Sequence, residues 1–559
     1  MKINAFIASL KLFLVVSIAF MTNFTQTASA GEILPGARVW GNFELDAQYY
    51  LPDSIIGAPE VPEKILMNAF ANVNISWQNF TFGMRYESYQ NPMLGYDPRY
   101  KGSGIPYRFA SYTQDNLEVT VGNFYDQFGS GLIFRSYEER NLGIDNAMDG
   151  VRLLYRPLDG LTLKGLIGEQ RLFFDKGPGI IRGFDAELSL NEAFSGLAEN
   201  DNRWIVGAGV ISKFQRDRDP LFNLPENVAA VAGRVNYTRS AFNFTAEYAH
   251  KANDPSADNN FIYKDGQALV LSSSYSVRGI GLLVSAKRID NMGFRSDRYA
   301  TGNDLNISYL PPTTKQHLYS LSGMYPYATQ PNGEAGILSE LTFRIPRGSL
   351  FGGDFGTTVT LNYSLANSIH KEKIHDTISI GQRGTLGYKS DFFKFGDEKY
   401  FEDFNIEVSR RISRTLRAQF SYVYIAYNQN VIEGYVDKEM VYAHIVIADF
   451  THRLPNRKSL RWEVQHLYTE QDKGSWAMAL VEYNIAPNWF FAVSNQYNYG
   501  NKIEDLRQHY YNVAAGYTYN ATRFALSYGR QREGVVCVGG VCRHLPASTG
   551  FALNVTSTF

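Results

Sequence analysis

Read every second residue of the chain and one face is apolar while the other is small or polar. The last twelve residues show it first. Phe551, Leu553, Val555, Ser557 and Phe559 share one face, and Gly550, Ala552, Asn554, Thr556 and Thr558 share the other. Successive side chains of a strand point to opposite sides, so this is a strand with one greasy surface. The pattern recurs. Val39-Gly41-Phe43-Leu45-Ala47-Tyr49 opposes Asn42-Glu44-Asp46-Gln48, and Met67-Ala69-Ala71-Val73-Ile75-Trp77 opposes Asn68, Asn72, Asn74 and Ser76. Phe80-Phe82-Met84-Tyr86 opposes Thr81, Arg85 and Glu87, and Tyr511-Val513-Ala515-Tyr517-Tyr519 opposes Asn512, Ala514, Gly516 and Thr518. Period two over eight to twelve residues predicts strands, not helices.

Connector lengths sharpen the prediction. Short turns are expected at Gln78-Asn79, Asp115-Asn116, Pro157 to Gly160, Thr238 to Ser240, Arg411 to Arg414, Ala486 to Asn488 and Asn520-Ala521. Long connectors are expected at 89–106, 125–150, 290–333 and 365–399, the last two containing strand-like pieces of their own. Short turns at one end and long loops at the other are the habit of transmembrane barrels. The predicted fold class is all-β. It is a single large antiparallel barrel of about 24 strands (range 22 to 26), with long outer loops and short periplasmic turns. The about 529 residues after Ala30 give about 22 residues per strand and connector. No repeat of 20 to 50 residues suggests a solenoid or propeller.

The two ends place the barrel. Residues 1–30 carry Lys2 and Lys11, an apolar run from Leu12 to Met21 and the small-residue site Ala28-Ser29-Ala30, which reads as a secretory signal peptide. Residues 31–559 are then the barrel domain. The terminal Phe559 resembles the closing-strand signal that the barrel-assembly machinery reads, so that machinery and outer-membrane lipids are expected partners. The predicted location is the cell outer membrane, multi-pass, with both termini periplasmic. No later stretch approaches the ~18 apolar residues of a membrane helix.

Composition adds a little. Hydrophobic content of 44% and a mean hydropathy of −0.26 look soluble, but a barrel hides its lipid face in alternation. Tyr, Phe and Trp make up 14% of the chain, which suits a membrane–water boundary. A net charge of −1 gives no reason to expect a nucleic-acid partner.

Candidate chemistry is sparse. Residues 125–150 form the densest polar segment, with Asp126, Arg135, Glu138, Glu139, Arg140, Asp145 and Asp149. They also carry Leu132-Ile133-Phe134 at the start of an expected short strand, Leu132 to Arg140. One reading folds this loop into the lumen, where opposed charges, with Arg85 and Arg152 on the wall, set a constriction. The other is an outer loop held by its own salt bridges. Glu44, Asn72, Lys164, Arg417 and Glu463 are further expected lumen residues, and such polar inward positions argue against an apolar lipid path. Cys537 and Cys542 predict a local disulfide in an outer loop rather than a metal site. Gly177-Pro178-Gly179 predicts a turn. The Asn/Asp-rich stretch 253–260 has oxygen ligands of the calcium type, but loose loops of this composition are commoner. The loop 370–399, rich in lysine, reads as solvated or as a binder of an anionic glycan or lipopolysaccharide. No Gly-x-Ser-x-Gly string occurs and the nine His are scattered, so no enzyme is expected, and no cofactor or metal.

The segments 68–108, 119–153 and 320–334 resemble a family of uncharacterised outer-membrane barrels from Bacteroidota. The resemblance implies a compartment and no substrate. Two functions fit: a porin-like channel for small polar solutes, narrowed by 125–150, or a non-conducting scaffold. The scaffold would be an accessory subunit with envelope protein partners, such as those of the type IX secretion translocon.

Overall fold

A computed structural model describes residues 35–559; the signal-peptide expectation lies outside them. The described chain forms a 24-stranded antiparallel sheet that closes on itself. Closure is made by Arg38–Leu51 against Ser548–Thr558, in a register running from Asn42 opposite Thr558 to Leu51 opposite Thr549. Two hydrogen bonds extend this seam. The Gly41 N–H donates to the Phe559 carbonyl at 3.0 Å, and the Phe559 N–H donates to Gly41 at 3.1 Å. A closed sheet leaves no edge strand with a row of unpaired backbone groups.

Alternation orients each strand. Phe82, Met84, Val121, Leu153, Val464, Val513 and Phe551 are exposed on the outside. Aromatic pairs gather near the turn end of the wall, Trp204 with Tyr237 at 4.4 Å and Trp489 with Tyr517 at 4.5 Å. An apolar belt with an aromatic rim is the surface a bilayer requires. Among the described residues no helix is long and apolar enough to cross a membrane.

The expected tight turns form. Gln78, Asp115, Ser240 and Asn520 all have φ near +50°, the left-handed geometry that two-residue hairpins need. Four expectations need correction. The connectors 190–201 and 346–356 at the turn end are not short. Gly177-Pro178-Gly179 is a bulge within the strand Asp175–Ser189, and the chain reverses at Phe173-Phe174 instead. Much of 365–399 belongs to two overlong strands, Thr357–Glu372 and Lys389–Arg411. Leu132 to Arg140 is not a continuous strand; Glu138–Glu139 pairs with Ile144–Asp145, and Arg135 makes an isolated bridge to Gln127.

Candidate functional site: a lumen filled at the loop end

The loop 125–147 folds inward. Leu132, Ile133 and Phe134 are 0 to 1% exposed, in one cluster with Phe128 and the wall residues Ile181, Ile211, Val228 and Ala230. Met292, Phe294 and Ile307 of a second loop complete the cluster. Gly129, at φ +53°, lets the chain pass Glu247, whose carboxylate accepts from the Ser130 N–H at 2.7 Å. Apolar burial of this kind anchors a loop more firmly than surface charge does.

The charged residues of this loop are spent on holding it. Arg85, on the strand Phe80–Gln90, donates to Glu87 at 2.6 Å and Glu138 at 2.9 Å, and also to Asp145. Arg171 reaches the same Glu87 and Asp145 at 2.6 and 2.5 Å. Arg140 bridges Glu138 at 2.7 Å and pairs with Glu44. Asp126 forms a separate knot with Arg152 at 2.5 Å and Lys164 at 2.8 Å. Burial holds the Tyr125 phenol far above its ordinary range, assisted by Asp145, so it stays a donor to that carboxylate. The remaining candidates lie elsewhere. Arg135 stacks on Tyr137 and Tyr309, Glu139 caps the Asn141 N–H at 3.1 Å, and Asp149 meets Lys176 and Arg108 at 3.0 and 3.4 Å. The nine candidates therefore do not form a single ring around an aperture. Six of them, Arg85, Asp126, Glu138, Arg140, Asp145 and Arg152, are a latch between loop and wall.

The second loop, 291–333, was not singled out for chemistry by the sequence. Its residues 315–321 run along the opposite wall as a rail. Lys315 donates to Glu407 at 2.8 Å, His317 meets Asp403 at 2.6 Å, Tyr319 donates to Asp449 at 3.0 Å, and the Leu321 N–H donates to Gln465 at 2.8 Å. Every second residue is tied down, so the signal was present as period two inside a loop. Beyond the rail, Leu321, Met324, Tyr325 and Tyr327 pack on Val423, Ile425, Ile445, Ile447, Leu467 and Trp476. Burial raises the Tyr325 and Tyr327 phenols well above their ordinary range, and the neighbouring Asp472 and Glu334 carboxylates add to it. These wall residues correct the expectation of a polar lumen: toward the loop end, inward positions are apolar because a plug covers them.

A third element closes the mouth. The hairpin of Gly534–Val538 and Val541–Leu545 carries a Cys537–Cys542 disulfide. It leans onto the plug rather than standing free. Gln316 donates to the Cys537 carbonyl at 3.1 Å, Asn303 to Cys542 at 3.0 Å, and the Thr329 N–H to Gly540 at 3.0 Å.

One sector lies away from these two apolar clusters, beside a smaller one of Phe70, Tyr89 and Tyr100. Around the seam the inward residues are Ala514, Ala525, Ser527, Ala552, Asn554, Asp46 and Gln48, and with Met93 of the loop after Phe80–Gln90 they line a space of about 180 Å³. Inward residues toward the turn end are hydroxylic or charged elsewhere too, as in the Ser272–Ser285 and Thr342–Thr360 pairs. In the Asn/Asp-rich stretch, Lys213 takes Asp254 at 2.7 Å and Arg295 takes Asp258 at 2.5 Å. Among the described residues no group of three His, Cys, Asp or Glu side chains is placed to hold a metal.

The chain belongs to a family of unknown function, DUF6029, whose family model matches residues 7–559. No curated relative matches it. Solved structures similar to it include the P pilus usher PapC translocation pore, at 9% identity and a TM-score of 0.42, covering 93% of this chain and 99% of that one. The siderophore receptor PirA from Pseudomonas aeruginosa is similar at 9% identity and a TM-score of 0.40, covering 93% and 80%. The ferric enterobactin receptor PfeA (an R480A_Q482A mutant) from the same organism is similar at 11% identity and a TM-score of 0.40, covering 94% and 81%.

Proposed function

We propose that this member of a family without assigned activity is an outer-membrane barrel acting as a narrow, porin-like channel for small polar solutes. Both chain ends face the periplasm, the role is non-enzymatic, and the loops 125–147 and 291–333 act as a constriction. The observation that carries the reading is the seam sector. Both plugs dock on other walls, and the seam presents small and polar side chains with space between them. A path lined by small side chains with Ser527, Asn554, Asp46 and Gln48 among them leaves room and hydrogen-bond partners for hydrated solutes. Charges near it are of mixed sign, so ion selectivity is weak. Assembly depends on recognition of the strand ending in Phe559, and the solvent of the belt is lipid.

A second reading has its own support. The depth of the two apolar plugs suits a non-conducting scaffold whose outer loops dock envelope proteins, as an accessory subunit of a secretion machine would. Planar-bilayer recording of the full chain separates the two. The channel reading expects small steady conductance, lowered by Ala525→Trp in the seam and raised by deleting 127–145. Silence of both the native chain and the deletion variant would leave the scaffold.

A further inference from the structure

The outer wall carries an apolar groove that the channel does not use. Its floor is Leu269, Leu271, Ala286, Ala335, Ile337 and Leu365, all on the outward face near the loop end of four neighbouring strands. Its roof is Phe392, Phe393 and Phe395. The enclosed space is about 410 Å³, within the roughly 300 to 1,000 Å³ of ligand sites.

The roof exists because two paired strands are mismatched in length. Asn367 pairs with Lys399, Ile369 with Phe395 and Lys371 with Ser390. Each two-residue step on one strand is met by four or five residues on the other. The surplus is thrown outward as a flap, with Phe393 87% and Phe395 67% exposed. Exposed phenylalanines over an apolar groove are costly in water and favourable in the headgroup–acyl boundary of a bilayer.

The groove has a cationic end. The Arg288 guanidinium lies 4.6 Å from the Phe392 ring and is 7% exposed. Its Nε and Nη1 have no hydrogen-bond partner, and Nη2 has only long contacts, 3.4 Å to the Asp391 carbonyl and 3.5 Å to Asp290. Asp290 is already taken by the Tyr388 and Ser390 hydroxyls. A buried guanidinium with two idle donors lacks an acceptor that its surroundings do not supply. Lys394 also lines the groove, at 3.6 Å from the exposed Asp391 carboxylate, and Lys264 stands 3.6 Å from Asp290. Cation above and hydrocarbon below is the complement of one class of molecule.

We propose that this groove binds a phosphorylated, net-anionic lipid of the surrounding leaflet. One acyl chain lies between the strands and the phenylalanine flap, and a phosphate accepts from Arg288 and Lys394. The site is lateral and independent of the lumen, so it stands whether or not the barrel conducts.

Native mass spectrometry of the full chain tests it, with diphosphoryl lipid A, its dephosphorylated form and phosphatidylcholine as probes. The expected result is one retained diphosphoryl lipid A per barrel, and neither neutral lipid retained. Arg288→Gln should weaken retention about tenfold, the worth of a lost charge-assisted hydrogen bond. Ile337→Trp, which fills the groove from its lipid-exposed floor, should abolish it. Heat-modifiable gel migration confirms that each variant is folded. Equal retention of all three lipids would show an ordinary lipid shell and overturn the proposal. So would indifference of the folded variants, or full displacement by inorganic phosphate at matched concentration.

Discussion

Replacing Arg85 with Leu attacks the latch at its centre. The side chain is 4% exposed and its partners Glu87 and Asp145 are 1% and 7% exposed. Removing one member of a buried ion network strands the others, at a cost of about 3 to 5 kcal/mol. Arg171 still reaches both carboxylates, so the loss falls toward the lower end. The strand itself is not at risk. Its ladder pairs Arg85 with Asn72 on one side and Tyr107 on the other through the backbone. The cost therefore falls on docking of 125–147. Opposing release are Leu132, Ile133 and Phe134, each worth about 1.5 to 3 kcal/mol of burial. The loop should stay docked on average while its undocked fraction rises roughly a hundredfold or more. Two assays read this. Hydrogen exchange of 125–147 should quicken by that factor with wall strands unchanged, and single-channel records should gain brief larger openings. Arg85→Lys should fall between, since an ammonium cannot span three carboxylates as a guanidinium does. Unchanged exchange of 125–147 in a folded Arg85→Leu barrel would refute the latch. Faster exchange without new openings would keep the latch and refute the constriction.

Other outcomes follow from single contacts. Gly41→Val should lower the yield of heat-modifiable folded barrel, because a Cβ there would stand 2.2 Å from the Asn72 carbonyl and 2.6 Å from the Phe559 ring. Breaking the disulfide with Cys537→Ser and Cys542→Ser frees a ring of only a few residues, worth about 2 kcal/mol. Exchange should quicken in 534–545 and at Thr329 without a change in barrel melting. Glu433, in the loop after Leu416–Tyr427, has its carboxyl raised by burial and by Asp472, against a Tyr427 hydrogen bond. The folded loop thus binds the proton more tightly than the unfolded one, so docking of 429–438 should weaken as pH rises from the ordinary carboxylate range through the raised value. Exchange measured across that window should show the trend, and Glu433→Gln should flatten it.

The wall was legible in the sequence because its signal is local. Each strand repeats every two residues, and lipid outside with water inside forces the alternation to continue around the ring. The turns were legible where two residues must reverse the chain, as at Gln78 and Asn520, and misread where proline and glycine served a bulge, as at 177–179. For the loop 125–147, Leu132-Ile133-Phe134 gave away the inward fold, because three adjacent apolar residues have no place on a solvated tip. Which charge meets which could not be read, since Arg85 and Asp145 are joined only by the closure of the wall between them.

The rail and the seam were hidden for a different reason, and it defines a usable sign. In Val441–Leu454 the inward Val441, Ala443, Ile445 and Ile447 are as apolar as the outward Tyr442 and Val446, so alternation disappears over half of the strand. A wall facing water cannot afford that; a wall covered by a plug requires it. The same loss of alternation marks Leu416–Tyr427 toward Val423, Ile425 and Tyr427, where residues 319–327 dock. Around the seam the inward positions stay small and polar along Thr522–Gln531 and Ser548–Thr558, and neither of the two large apolar clusters reaches them. Strands apolar on both faces toward one end therefore map where an apolar plug fills a lumen, whereas a kept polar face can equally be covered, as Arg85 and Glu87 are by the loop 125–147.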